Sequence, residues 1–218
     1  MFAMLMGLVL PPVAEQAASV QNFQVAGIEM SLQPPAGFCP PQAGTAVGAM
    51  QLIAAADNDN VTNLALLMCD DTTATKADYY LIKTPKTMLA HTIDRPALLA
   101  EMKKAMALPE FNKSAGLADN NKIEKDFAGV VGGGKPEIEG AIKPLGVDGD
   151  CYYIGGVLSF KSADVNYTRA ASSCITSIGG KMIAITRYSD GAVVGNMRRH
   201  LATARALAMA IKVVAAKH

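Results

Sequence analysis

The sequence predicts an α+β fold, a mainly antiparallel β-sheet flanked by helices, with a C-terminal three-strand meander followed by a long amphipathic helix. Three observations predict it. Strand-length apolar segments come in runs, three of them in a row near the C-terminus, with helices set between and after the runs rather than alternating with each strand. Gly179-Gly180 joins two of those segments at hairpin spacing. Residues 194–214 repeat apolar side chains at the helical period.

Taken from the N-terminus, residues 2–13 form an apolar run of signal-peptide length, closed by Pro11-Pro12 and followed by the small residues Ala17-Ala18-Ser19. The run is too short to span a bilayer stably. Residues 1–19 therefore read as a signal peptide and 20–218 as one α+β domain. No basic residue precedes Lys76, although such leaders open with one; a start upstream of Met1 would supply it. Export places the chain in a periplasmic or secreted setting, where thiols oxidise. Cys39, Cys69, Cys151 and Cys174 then read as two disulfides rather than as metal ligands or nucleophiles.

Residues 23–32 alternate apolar and polar side chains, as one strand or a strand pair, and Pro34-Pro35 stops them. Residues 36–41 make a turn, and the alanine-rich 45–56 a helix ended by Asp57-Asn58-Asp59-Asn60. Strands follow at 61–69, with Leu64, Leu66 and Met68 on one face, and at 79–84. Asp94 is a good N-cap and Pro96 sits in the first turn, so Leu98, Met102, Ala105 and Met106 line an amphipathic helix up to Pro109. Residues 129–136, with Gly132-Gly133-Gly134, read as a mobile loop. Ile138 and Ile142 mark a half-exposed strand. The meander is then 151–160, 165–178 and 181–188. The closing helix carries Val194, Met197, Leu201, Ala204, Ala208, Ile211 and Val214 on its apolar face.

Partners across an antiparallel hairpin share a constant sum of residue numbers. A turn centred between Ser162 and Ala163 sets the sum at 325, which Cys151 and Cys174 also give, so the two should oppose each other. Cys39 and Cys69 remain as the second pair.

Net charge is +1, so nothing calls for nucleic acid or an anionic membrane as partner. Residues 129–135 match the GxxxxGK spacing, but Pro136 stands where a phosphate loop needs Ser or Thr. Asp57, Asp59, Asp70, Asp71, Asp148 and Asp150 lack the spacing of a calcium loop, and turn chemistry accounts for them. His91, His200 and His218 show no metal spacing, and no GxSxG occurs. No cofactor, metal or catalytic residue is therefore assigned. Arg198, Arg205 and Lys212 recur every seven residues and form a basic stripe on the last helix, a candidate partner face. The sequence names neither ligand nor oligomeric state. It favours an exported binding or accessory protein, for a protein or small-ligand partner. The alternatives are a hydrolase whose site assembles only in three dimensions, with His91 or His200 as base, and a structural envelope protein.

The segment Gly27-Ile28-Glu29-Met30-Ser31-Leu32-Gln33-Pro34-Pro35-Ala36-Gly37-Phe38 resembles the opening of PsbP-like proteins, where a strand enters a Pro-x-Gly turn followed by an aromatic residue. The order of elements is similar too. The family's aromatic is commonly Trp, here replaced by Phe38, and the four cysteines have no counterpart in it. The resemblance implies a curved antiparallel sheet flanked by helices and an accessory role; it carries over no site residues.

Overall fold

The structure is a computed structural model, and it describes residues 19–42, 44, 47–48, 50–51, 54, 57–71, 78–108, 137–161, 166–191 and 197–214. The leader, the glycine loop at 129–136 and His218 lie outside the described residues.

The chain opens with a hairpin, β1 (Gln21–Val25) against β2 (Ile28–Leu32). Ala26 and Gly27 turn it with positive φ of 48° and 84°, the left-handed pair that a tight two-residue hairpin requires. β3 (Phe38–Cys39) is a two-residue edge strand on β4 (Asn60–Met68), which pairs with β5 (Tyr79–Pro85). At 47, 48, 50, 51 and 54 the backbone is helical, within the predicted 45–56 segment. After a single 3-10 turn at Lys86–Met88 comes α1 (Arg95–Met106). Asp94 caps it by accepting from the Ala97 amide at 2.8 Å.

β6 (Glu137–Val147), β7 (Tyr152–Lys161), β8 (Asn166–Ile178) and β9 (Lys181–Asp190) then meander antiparallel. The half-exposed strand thus joins the predicted three, and the hairpin at Gly179-Gly180 falls where expected, with φ of 59° and 77°. α2 (Met197–Ala210) follows, and β10 (Lys212–Val213) ends the described chain. β9 crosses back to pair with β5, so the larger sheet runs β3-β4-β5-β9-β8-β7-β6; a smaller one runs β1-β2-β10. The fold is α+β, as the sequence predicts. Among the described residues, no helix is long and apolar enough to cross a membrane.

The side chains on one face of the large sheet meet the small sheet and α2. Val25, Met30 and Leu32 bury against Leu66, Tyr80, Ile82, Ile183 and Ile185, and Ala204, Leu207 and Ala208 of α2 close the same core. On the opposite face, Leu99 of α1 packs on Tyr152 and Ile175, with Met102 and Met106 beside it. Both faces carry apolar clusters because period-2 strands send alternate side chains each way.

Three expectations need correction. The β7–β8 partners sum to 327, with Tyr153 opposite Cys174, because four residues rather than two separate the last paired residues, Lys161 and Asn166. Cys151 lies just beyond the ladder, and its disulfide reaches Cys174 diagonally at a Cα–Cα distance of 5.3 Å. The basic stripe is not continuous either. The helix ends at Ala210, so Lys212 lies on β10 while Arg198 and Arg205 stay on α2. Finally, His200 is 5% exposed rather than on the solvated flank. The buried face of α2 runs His200, Ala204, Leu207, Ala208, displaced from the Met197–Leu201 line, because the sheet beneath offers polar partners at that end.

Candidate functional site

A cleft of about 400 Å³ opens where the β2–β3 connection faces α2. Phe38 and Tyr80 form its floor, with ring centroids 4.9 Å apart and planes at 76°, the edge-to-face arrangement that aromatic quadrupoles favour. Pro35 and Ala36 form one wall; Ala206, Leu207 and Ala210 form the other. Each wall has a local cause. The prolines hold the chain extended between β2 and β3, and Gly37 turns it at φ 79° so that Phe38 enters the sheet. Small residues on α2 leave the room.

Arg187 supplies the cleft's charged group and is itself held on every side. Its Nε and Nη2 donate to the two carboxylate oxygens of Asp78 at 2.8 and 2.6 Å, and Nη1 donates to Thr203 at 3.3 Å. The guanidinium carbon lies 5.6 Å from the Phe38 centroid and 5.4 Å from that of Tyr80. This fork geometry stiffens the arginine and offsets its charge. The bonds to Asp78 raise the Arg187 pKa further, and burial raises that of the Tyr80 hydroxyl, so both keep their protons at neutral pH. The lining therefore offers apolar surface and neutral or neutralised polar groups. None of its residues is a carboxylate, an imidazole or a thiol.

Beneath α2, beside the cleft, Ser189 Oγ and His200 Nδ1 lie 3.2 Å apart, in the hydroxyl–imidazole arrangement a nucleophile needs. The pair is 7% and 5% exposed, and neither residue lines the cleft. Burial first, then the charge of Arg187, lowers the His200 pKa, so the ring is neutral. In this position it fills a polar gap in the sheet–helix contact. His91, the other candidate base, is exposed on the segment before α1.

The acidic turns are occupied by their own chemistry. The Asp57 carboxylate accepts from the Asn60 amide and side chain and pairs with Lys83 at 2.6 Å. Burial alone would raise its pKa, but Lys83 and Asn60 outweigh it and lower it. Asp148 accepts from the amides of Asp150 and Cys151 and from the Tyr153 hydroxyl, at 2.7 to 2.8 Å. Asp150 pairs with Arg95 of α1 at 3.4 Å and with Arg205 of α2. Of the predicted partner face, Arg205 and Arg198 are both exposed, and Arg205 pairs with Asp150 at the surface, tying α2 to the β6–β7 turn.

The cysteines meet in the pairs Cys39–Cys69 and Cys151–Cys174, with S–S distances of 2.04 and 2.01 Å. Cys151 and Cys174 are fully buried in the main core. Cys39 is half-buried and Cys69 exposed, at the edge of the sheet next to the cleft floor.

No family model and no curated protein matches the sequence. Among solved structures, the chain is similar to cyanobacterial PsbP from Synechocystis sp. PCC 6803, determined in solution, at 12% identity over 95% of this chain and 100% of that one, with a TM-score of 0.39. At that score the likeness carries no argument about the site, and the architecture stands on the strand pairings themselves.

Proposed function

We propose that the protein is an exported, non-enzymatic binding protein whose cleft takes a small, uncharged, apolar ligand or side chain. The observation that carries this reading is the lining itself: two aromatic rings and a helix wall of small residues around an arginine already neutralised by Asp78. An anion would have to compete with that carboxylate, and a cation would meet the guanidinium. Apolar ligands gain from burial, at about 25 cal/mol per Å², and Tyr80, Thr203 and Gln33 are placed to orient one. The two disulfides support export, since such bonds persist where thiols are oxidised.

The test is native mass spectrometry on protein purified from its own compartment. A non-covalent adduct should be present on the wild type and absent from Ala206→Trp, which fills the cleft from an exposed helix position and leaves the core alone. An adduct retained by the tryptophan variant would place binding elsewhere. The Ser189–His200 pair favours the hydrolase alternative only if it reaches solvent. Ser189→Ala should therefore leave binding unchanged, and any ester hydrolysis abolished by that substitution would revive the alternative.

A further inference from the structure

The two disulfides differ in what they hold and in who can reach them. Cys151–Cys174 lies in the core at 0% exposure for both residues, so a thiol reaches it only when the core opens. Cys39–Cys69 is open to solvent on the Cys69 side. It also fastens a short edge strand: β3 has two residues, pairs only with β4 in the described sheet, and is otherwise held by the bonds Phe38 N–H to Pro35 O at 3.0 Å and Cys69 N–H to Gly37 O at 2.9 Å and by the packing of Phe38 on Tyr80. Phe38, half of the aromatic floor, belongs to β3, and Pro35 and Ala36 directly precede it. The bridge thus clamps one wall and half the floor of the cleft to the sheet.

We infer that Cys39–Cys69 is a redox-cleavable clamp on the cleft, opened by a dithiol reductant that leaves Cys151–Cys174 intact. This rests on the binding reading above. A thiolate of the dithiol attacks the sulfur of Cys69, the exposed residue of the pair; the protein S–S bond breaks, Cys39 leaves as a thiolate and takes a proton, and a mixed disulfide forms. The second thiol of the reductant displaces Cys69, so the reductant departs as its cyclic disulfide and the protein has gained two electrons and two protons as two thiols. Freed of its clamp, a two-residue edge strand cannot hold its register, and Phe38 leaves the floor.

Graded dithiothreitol applied to the folded full chain, with differential alkylation and hydrogen exchange read together, tests this. Cys39 and Cys69 should become alkylated at a dithiol concentration at least ~10-fold below that needed for Cys151 and Cys174, because local opening is far more populated than global opening. Over the same range, exchange at the Phe38 and Cys69 amides should rise at least ~10-fold and reverse on reoxidation. Affinity for N-phenyl-1-naphthylamine, a neutral apolar probe, should fall in parallel, and Cys39→Ser with Cys69→Ser should reproduce the reduced state. Simultaneous reduction of both bridges, or selective reduction with unchanged exchange at those amides, would overturn the clamp. Failure of the oxidised protein to bind the probe would count against the binding reading alone, since the exchange arm does not depend on it.

Discussion

His200 shows how a single side chain departs from its apparent pattern. In the sequence it follows Arg198 and Arg199 directly, yet it is buried against Ser189 and within reach of the charge of Arg187. Burial and the arginine lower its folded pKa below the unfolded value near 6.5. Between those two values the unfolded chain binds the extra proton, so stability is full above about pH 6.5 and falls as pH drops through the folded value. Urea midpoints measured from pH 7.5 down to 5 should fall more steeply for the wild type than for His200→Gln. Parallel curves would show that the imidazole is not held neutral. At the same scale, Arg187→Met leaves the Asp78 carboxylate without its fork of donors and should destabilise by about 2 kcal/mol, with weaker probe binding in the cleft. Unchanged stability would show the pair to be a solvated ion pair. Neither site was legible in the sequence. Arg187 and Asp78 stand 109 residues apart, and nothing in either neighbourhood points at the other.

At the scale of elements, much was legible because local signals and tertiary packing agree. Asp94, Pro96 and the apolar spacing after them place α1 correctly; Asp94→Ala should cost about 1 kcal/mol in a chemical denaturation titration. Gly179-Gly180 marks its hairpin because only that conformation turns two residues tightly. What failed was register. One residue of error in the centre of a connection moves every partner by two, and the sequence at 162–165 carries no glycine signal to centre it. β10 was missed because Lys212 and Val213 continue the helical spacing of α2; their pairing with Ser31 and Met30 is a tertiary fact. The closest strand approach was equally silent. A Cβ on Gly156 would come within a non-bonded contact of the Ala141 carbonyl oxygen that no backbone can accommodate. Gly156→Ala should therefore detach β6 from β7, lowering the thermal midpoint by an amount equivalent to about 3 kcal/mol. A change under about 0.5 kcal/mol would mean that β6 is not held at this spacing.

For the molecule as a whole, the sequence carried the order of elements and the α+β class, but not the division into two sheets. That division depends on β9 crossing back to β5 and on β10 reaching β2, contacts between segments distant in the chain. The cleft follows from the same long-range placement, since its floor and walls come from the β2–β3 connection, β3, β5, β9 and α2. The disulfides close loops of 30 and 23 residues, each stabilising by about 3.5 kcal/mol in the chain-entropy picture. Losing both would remove about 7 kcal/mol, comparable to the whole stability of an ordinary domain. The proposed export rests on these bridges, which persist where thiols are oxidised, and cleft and clamp both depend on their being formed. Non-reducing peptide mapping of protein taken directly from its native compartment tests it. The account predicts peptides linked 39–69 and 151–174; four alkylatable thiols, or a 39–151 linkage, would contradict it.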